Sequence, residues 1–164
     1  KENEVRVPKV LLAGEDYILL ENIPGQTMTD YLEQIEKDGL PPDNAYWAAD
    51  DLCEWLLGFY KAVQNITDEK VIMKDVNLRN FIVAKDGIYG IDFEEVSAGY
   101  PEEDIGKICA FLLTYRPEFT PWKINVAKYI RDRAIEKLKI NPNLVMNELN
   151  RELSAIKKRR KSTI

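Results

Sequence analysis

Apolar residues recur at helical spacing through the middle of this chain. Trp47, Leu52, Trp55, Leu56, Phe59, Tyr60 and Val63 predict one long helix, opened by Pro41-Pro42-Asp43 and running to about Gln64. Its aromatic stripe reads as core, and Gly58 lowers helix propensity while permitting close packing. An earlier helix is capped by Thr27 or Thr29, carries Leu32 and Ile35, and ends near Lys37 at Asp38-Gly39. Later patterns predict helices over Glu102–Thr114, with Ile105, Ile108, Cys109 and Leu112 on one face, over Trp122–Leu138, and from Leu144 to about Arg159. Asn141-Pro142 separates the last two.

The strand signals are shorter. Val5–Leu12 and Tyr17–Ile23 read as two strands around Gly14-Glu15-Asp16, with Pro8 placing the first near an edge or bulge. Val71-Ile72-Met73 is a short apolar strand. Phe81–Ala84 and Ile88–Ile91 flank Lys85-Asp86-Gly87, and Asp86-Gly87 predicts the hairpin turn.

Composition sets the class. The chain has 164 residues, 45% hydrophobic and 31% charged, which suits one globular domain over 1–164. No run approaches the roughly 18 apolar residues that a membrane span needs. The two cysteines, Cys53 and Cys109, fall in apolar helical patterns and read as buried free thiols. With no histidine in the chain, they make no zinc site. Cytoplasm is the default location. The net charge of −5 argues against a general nucleic-acid binder. The exception is the basic run at 157–161, Lys157-Lys158-Arg159-Arg160-Lys161, read either as an RNA- or phosphate-binding tail or as a solvated helix end.

Candidate chemistry concentrates in Val71–Glu94, VIMKDVNLRNFIVAKDGIYGIDFE. Asp75 and Asn80 lie on the loop before the hairpin, and Asp92 lies just after it. Two carboxylates and an amide gathered there suit a magnesium-nucleotide phosphotransferase. One carboxylate positions the attacking hydroxyl, while the amide and the other carboxylate hold the metal on the phosphates.

This segment resembles the catalytic lobe of the protein-kinase-like superfamily. Kinases carry His-Arg-Asp, four residues, Asn, and later Asp-Phe-Gly. Here the chain reads Met73-Lys74-Asp75, four residues, Asn80, and later Asp92-Phe93-Glu94, so Met73 replaces the histidine and Glu94 the glycine. The resemblance implies that Asp75 is the catalytic residue and that Asn80 and Asp92 are the Mg²⁺ ligands on ATP. The next stretch, IDFEEVSAGYPEEDIGKICAFLL, is similar to the aminoglycoside and choline phosphotransferase branch, with small atypical (RIO-like) kinases as near neighbours. In that branch the later Asp starts a helix and braces the catalytic loop, a role carried here to Asp104. Asn77 and Arg79 either touch the substrate or only hold the loop. Leu-Leu-Glu-Asn-Ile-Pro-Gly resembles a kinase hinge, which makes the backbone of Glu21, Asn22 and Ile23 the candidates for the adenine edge.

The implied fold class is α+β: a kinase-like fold with a mostly helical C-lobe over 24–164, a short catalytic β-hairpin, and an N-lobe reduced to about two strands over 1–23. The resemblance covers roughly Val7 to Leu113. No Gly-x-Gly occurs, and Lys9 is misplaced for the lysine that clamps the phosphates. Because the chain begins with Lys, the rest of the small lobe is expected upstream. Weak nucleotide affinity and little turnover are expected of this chain alone.

Two functions follow. One is ATP-dependent phosphoryl transfer to a hydroxyl of a small molecule or protein. The other is a non-catalytic kinase-like binding or scaffold module that engages a protein partner through its C-terminal helices. Glu94, Glu95, Glu102 and Glu103 either attract a cationic substrate or are ordinary helix N-terminal charges.

Overall fold

The computed structural model describes residues 5–93 and 95–162. Capping chemistry sets most helix boundaries. Thr27 caps α1 (Met28–Lys37) by accepting the Asp30 N–H at 3.1 Å, and Gly39, at φ +68°, releases the chain. Pro42–Ala45 form a single 3₁₀ turn rather than the first turn of the long helix. That helix, α2 (Tyr46–Thr67), ends at Asp68 in the left-handed region. Proline occupies the first turn of both α3 (Pro101–Thr114) and α4 (Pro121–Leu138), where its missing N–H costs nothing. The last helix, α5 (Pro142–Ser162), starts two residues earlier than its apolar pattern and likewise opens on a proline. With small antiparallel sheets, the fold is α+β and dominated by these five helices among the described residues.

Helix α3 packs against α4 and α5, and α4 packs against α2. The core between them contains Leu52, Leu56, Ile105, Ile108, Ile130 and Val145, all fully buried, each contributing about 1.5–3 kcal/mol. Both cysteines are buried and free. Lys123 is also buried. Its ammonium pairs with Glu36 of α1 at 3.0 Å and donates to the carbonyls of Tyr115 and Pro117, so the charge is fully partnered. No described helix is long and apolar enough to cross a membrane.

The first two strands are shorter than their apolar runs. β1 (Val10–Ala13) and β2 (Ile18–Leu20) form an antiparallel ribbon, every residue of which is exposed. Val5 to Lys9 stay irregular around Pro8, which has no N–H for a ladder. A three-residue strand absent from the sequence pattern, β3 (Gly25–Thr27), pairs with β5 (Phe81–Ala84), which pairs in turn with β6 (Gly87–Gly90). β4 (Val71–Ile72) pairs with β7 (Ser97–Ala98).

The hairpin turn is Lys85-Asp86, not Asp86-Gly87. Ala84 pairs with Gly87, which is the first residue of the returning strand. Gly87 has φ +134°, and a Cβ there would meet Asp51 and Arg6 at 2.6 Å. Asp51 fills that space because its carboxylate accepts the Ile88 N–H and pairs with Arg6. At the other end of β6, a Cβ on Gly90 would fall inside the Trp55 ring. That ring is pinned by its Nε1–H donating to the Arg6 carbonyl at 2.7 Å and by an edge contact with Phe81. Gly90→Ala is therefore expected to cost about 1–3 kcal/mol through overpacking, read as a lowered denaturant midpoint with an unchanged slope.

Candidate active site

Alternating burial shapes the loop between β4 and β5. Met73, Val76 and Leu78 are buried in the core, so the polar residues among them turn outward, and Lys74, Asp75 and Arg79 are exposed. Lys74 adopts φ +62°, and the Asp75 N–H closes a tight turn onto the Met73 carbonyl at 2.7 Å. A non-glycine residue in the left-handed region costs of order 1 kcal/mol and persists only when its surroundings hold it.

Asp104, in the first turn of α3 and fully buried, is the main restraint. It accepts the backbone N–H groups of Met73 at 2.9 Å and Lys74 at 3.1 Å, and the hydroxyl of Tyr60 from α2 at 2.9 Å. Lys107, one turn along α3, donates to the Lys74 carbonyl at 2.9 Å. One helix end thus engages both polar sides of the strained residue before Asp75. Burial raises the Asp104 carboxyl to about 6, against the opposing pull of its hydrogen bonds from Met73, Tyr60 and Lys74. Burial also pushes the Tyr60 hydroxyl well up, and the neighbouring Asp104 charge adds to this.

The far end of the loop is tied as firmly. Asn77 Oδ1 accepts the Arg79 N–H at 3.0 Å and the Tyr115 hydroxyl at 2.9 Å. The Asn77 side chain is therefore engaged within the protein and holds the loop, while Arg79 is the member of that pair facing solvent. Asn80 ends the 3₁₀ turn Leu78–Asn80 nearly buried. Its Nδ2 donates to the Asp75 carbonyl at 3.1 Å and, more weakly, to Asp75 Oδ2 at 3.4 Å. This fixes the amide orientation and leaves its Oδ1 as the remaining acceptor.

Pairing across the hairpin places Asp92. The Ile91 N–H donates to the Asn80 carbonyl at 2.9 Å, one step beyond the Phe81–Gly90 pair. Asp92 is the next residue, at the same open end of the ribbon as Asn80. It is exposed at φ +61°. That turn sends the Phe93 ring onto Trp55 and Phe59, each with centroids 6.1 Å away. Glu94 lies outside the described residues.

The remaining candidates are less free than their letters suggest. Glu21 uses its N–H on the Lys9 carbonyl and its carboxylate on the Lys9 N–H, so that N–H is already engaged within the ribbon. Glu102 is buried and accepts the Asn141 N–H; Glu103 accepts the Tyr100 N–H at the start of α3. Neither is available to draw in a cationic substrate. Tyr60, Lys107 and Tyr115 escape sequence reasoning. Tyr60 sits in the apolar stripe of α2, and nothing in its spacing marks a hydroxyl aimed at Asp104.

Among the described residues, no three His, Cys, Asp or Glu side chains cluster as a self-sufficient metal site. Backbone register brings Asn80 and Asp92 to one ribbon end, and a pair of oxygen-bearing side chains suits only an ion that takes most of its oxygens from phosphate and water, which is how Mg²⁺ is commonly held. No protein-family model matches the chain, and no curated protein matches it significantly.

Proposed function

We propose that the chain is the catalytic lobe of an ATP-dependent phosphotransferase of the protein-kinase-like superfamily. In style it is nearest to the aminoglycoside and choline phosphotransferases and the small atypical kinases, and it acts in the cytoplasm on a hydroxyl of a small molecule or protein. The observation that carries this reading is Asp104. A buried carboxylate at a helix start holds the two amides before Asp75, so that Asp75 is presented to solvent beside Asn80 and at the hairpin end from which Asp92 leaves. Fixing the backbone that carries an exposed carboxylate suits orientation of a reactant.

Asn80 and Asp92 would hold Mg²⁺, which when bound to ATP neutralises charge on the phosphate oxygens. Asp75 accepts a hydrogen bond from the acceptor hydroxyl, orients its oxygen and takes its proton as transfer proceeds. Asn80 keeps Asp75 in place through the carbonyl and carboxylate that it bridges. Asn77 and Tyr115 hold the loop from behind. The Glu21 carbonyl and the backbone of Asn22 and Ile23 would meet the adenine edge.

The second reading, a non-catalytic kinase-like binding module, is favoured by Met73 and Glu94, which stand where the family has its loop histidine and its Asp-Phe-Gly glycine. Calorimetry with ATP, with and without Mg²⁺, tests the metal assignment. We expect weak nucleotide binding that Mg²⁺ strengthens, with that Mg²⁺-dependent gain reduced about tenfold in Asp92→Asn, worth about 1.4 kcal/mol. An equal Mg²⁺ gain in both proteins would remove Asp92 from the metal site, and tight binding with rapid transfer would contradict the missing clamp.

A further inference from the structure

The basic run Lys157–Lys161 stands apart in an acidic chain and lies on the last turns of α5. Helical spacing divides it. Lys157, Arg160 and Lys161 line a groove of about 550 Å³ between the end of α5 and the segment that follows α3. Arg159 is paired with Glu152 instead. The groove's floor is apolar, made by Leu153, Ile156 and the ring of Phe119.

Two features show a fixed site rather than a frayed helix end. Phe119 is 47% exposed, yet its backbone is held at φ +51° with its N–H on the Leu113 carbonyl at 2.9 Å. A large ring left half exposed on a left-handed residue offers an apolar surface to the groove that this chain only partly covers. Arg160 is anchored by its guanidinium to the Thr114 carbonyl at 2.7 Å and to Glu118, which ties the rim to the wall. Lys157 and Lys161 are exposed and form no ion pair among the described residues.

An apolar floor under a cationic rim selects a ligand that is apolar and anionic over a short span. We propose that this groove docks an acidic segment of a partner protein through one large aromatic or aliphatic anchor. Nucleic acid fits less well, because a phosphate backbone makes no use of the apolar floor, whereas a peptide can place an apolar anchor on it between acidic residues. A membrane surface fits less well, because the apolar residues line a concavity and do not project. Thr114 of the lining is followed directly by Tyr115, whose hydroxyl donates to Asn77, so the groove adjoins the segment that supports the 75–80 loop. This proposal stands whether or not that loop transfers phosphate.

The test is fluorescence anisotropy on the full chain with a short labelled peptide of Asp and Glu around a Trp-Leu pair. The comparison probes are the same peptide with Ser in place of Trp-Leu, a labelled single-stranded oligonucleotide, and phosphatidylcholine–phosphatidylserine vesicles. The anchored peptide is expected to bind best, with affinity falling as salt rises and about tenfold weaker binding for the Ser peptide. Lys157→Glu with Lys161→Glu, both exposed, is expected to weaken binding at least about tenfold at an unchanged melting temperature. Phe119→Asn, which tolerates the left-handed backbone, is expected to remove the advantage of the anchor. No peptide binding, equal binding of the Ser peptide, indifference to either variant, or tighter binding of the oligonucleotide or vesicles would overturn the proposal.

Discussion

Asp75→Asn is expected to reduce Mg²⁺-dependent phosphoryl transfer by about 10²–10⁴-fold while leaving the fold intact. The carboxylate is exposed, and the only hydrogen bond its side chain makes among the described residues is the weak 3.4 Å contact with Asn80. An amide of the same shape therefore disturbs neither the core nor the stronger bond from Asn80 to the Asp75 carbonyl. What it loses is a group able to take a proton. Nucleotide affinity is expected to stay within about twofold, because Asn80 and Asp92 are untouched. The measurement is ADP release with a panel of hydroxyl acceptors, alongside nucleotide binding and thermal unfolding. Transfer that persists unchanged in the variant would remove Asp75 from the chemistry. A wild-type chain that binds nucleotide with no turnover at any acceptor would favour the scaffold reading.

Asp104→Ala is expected to destabilise the fold by about 2–4 kcal/mol at neutral pH and to release the loop that presents Asp75. Its removal strands the Met73 and Lys74 amides and the Tyr60 hydroxyl, and no other described acceptor reaches those amides. Hydrogen exchange should quicken at Met73 and Lys74, and transfer should fall with it. Asp104→Asn is the informative comparison. Its one oxygen can still accept from Met73 and Tyr60, but its amide then faces the Lys74 N–H, donor against donor. The fold uses the acceptor geometry of Asp104, whereas the charge is a cost, since burial raises the carboxyl from 3.8 to about 6. The sign of the pH dependence follows. Between about pH 4 and pH 6 the folded chain keeps a proton that the unfolded chain has released, so stability from this residue is greatest below 3.8 and is lost as pH rises through 6. The stability difference between wild type and Asp104→Asn is expected to shrink by about 2–3 kcal/mol over that interval and to be flat above it, as read by denaturant unfolding at each pH. A difference that grows with pH would mean that the charge itself stabilises the loop.

Helices were the most legible part of the chain because their signals are local. The cap at Thr27 and apolar residues at helical spacing act within a few positions, and the observed helices follow them closely. The errors cluster where backbone pairing with a distant partner decides the outcome. Gly25–Thr27 carries no strand pattern and becomes one only because β5 lies beside it. The Asp-Gly signal located the hairpin but misplaced its turn by one residue, since Gly87 pairs with Ala84 across the ribbon and is held there by the bond from the Ile88 N–H to Asp51, 37 residues away.

The candidate site divides in the same way. Asp75, Asn80 and Asp92 were nameable from their order and spacing, and hairpin register alone carries Asn80 and Asp92 to one end of the ribbon. The sequence by itself determined the helices, the hairpin and which side chains carry oxygen. Only the tertiary structure decided that Asp104 faces backbone amides, that Tyr115 and Asn77 engage each other, and that Glu102 is buried rather than available. Helix and turn signals are settled by neighbours a few residues away. The partner of a buried polar group is settled by whichever element packs over it, from 31 residues away for Asp104 and Met73 and from 38 for Tyr115 and Asn77.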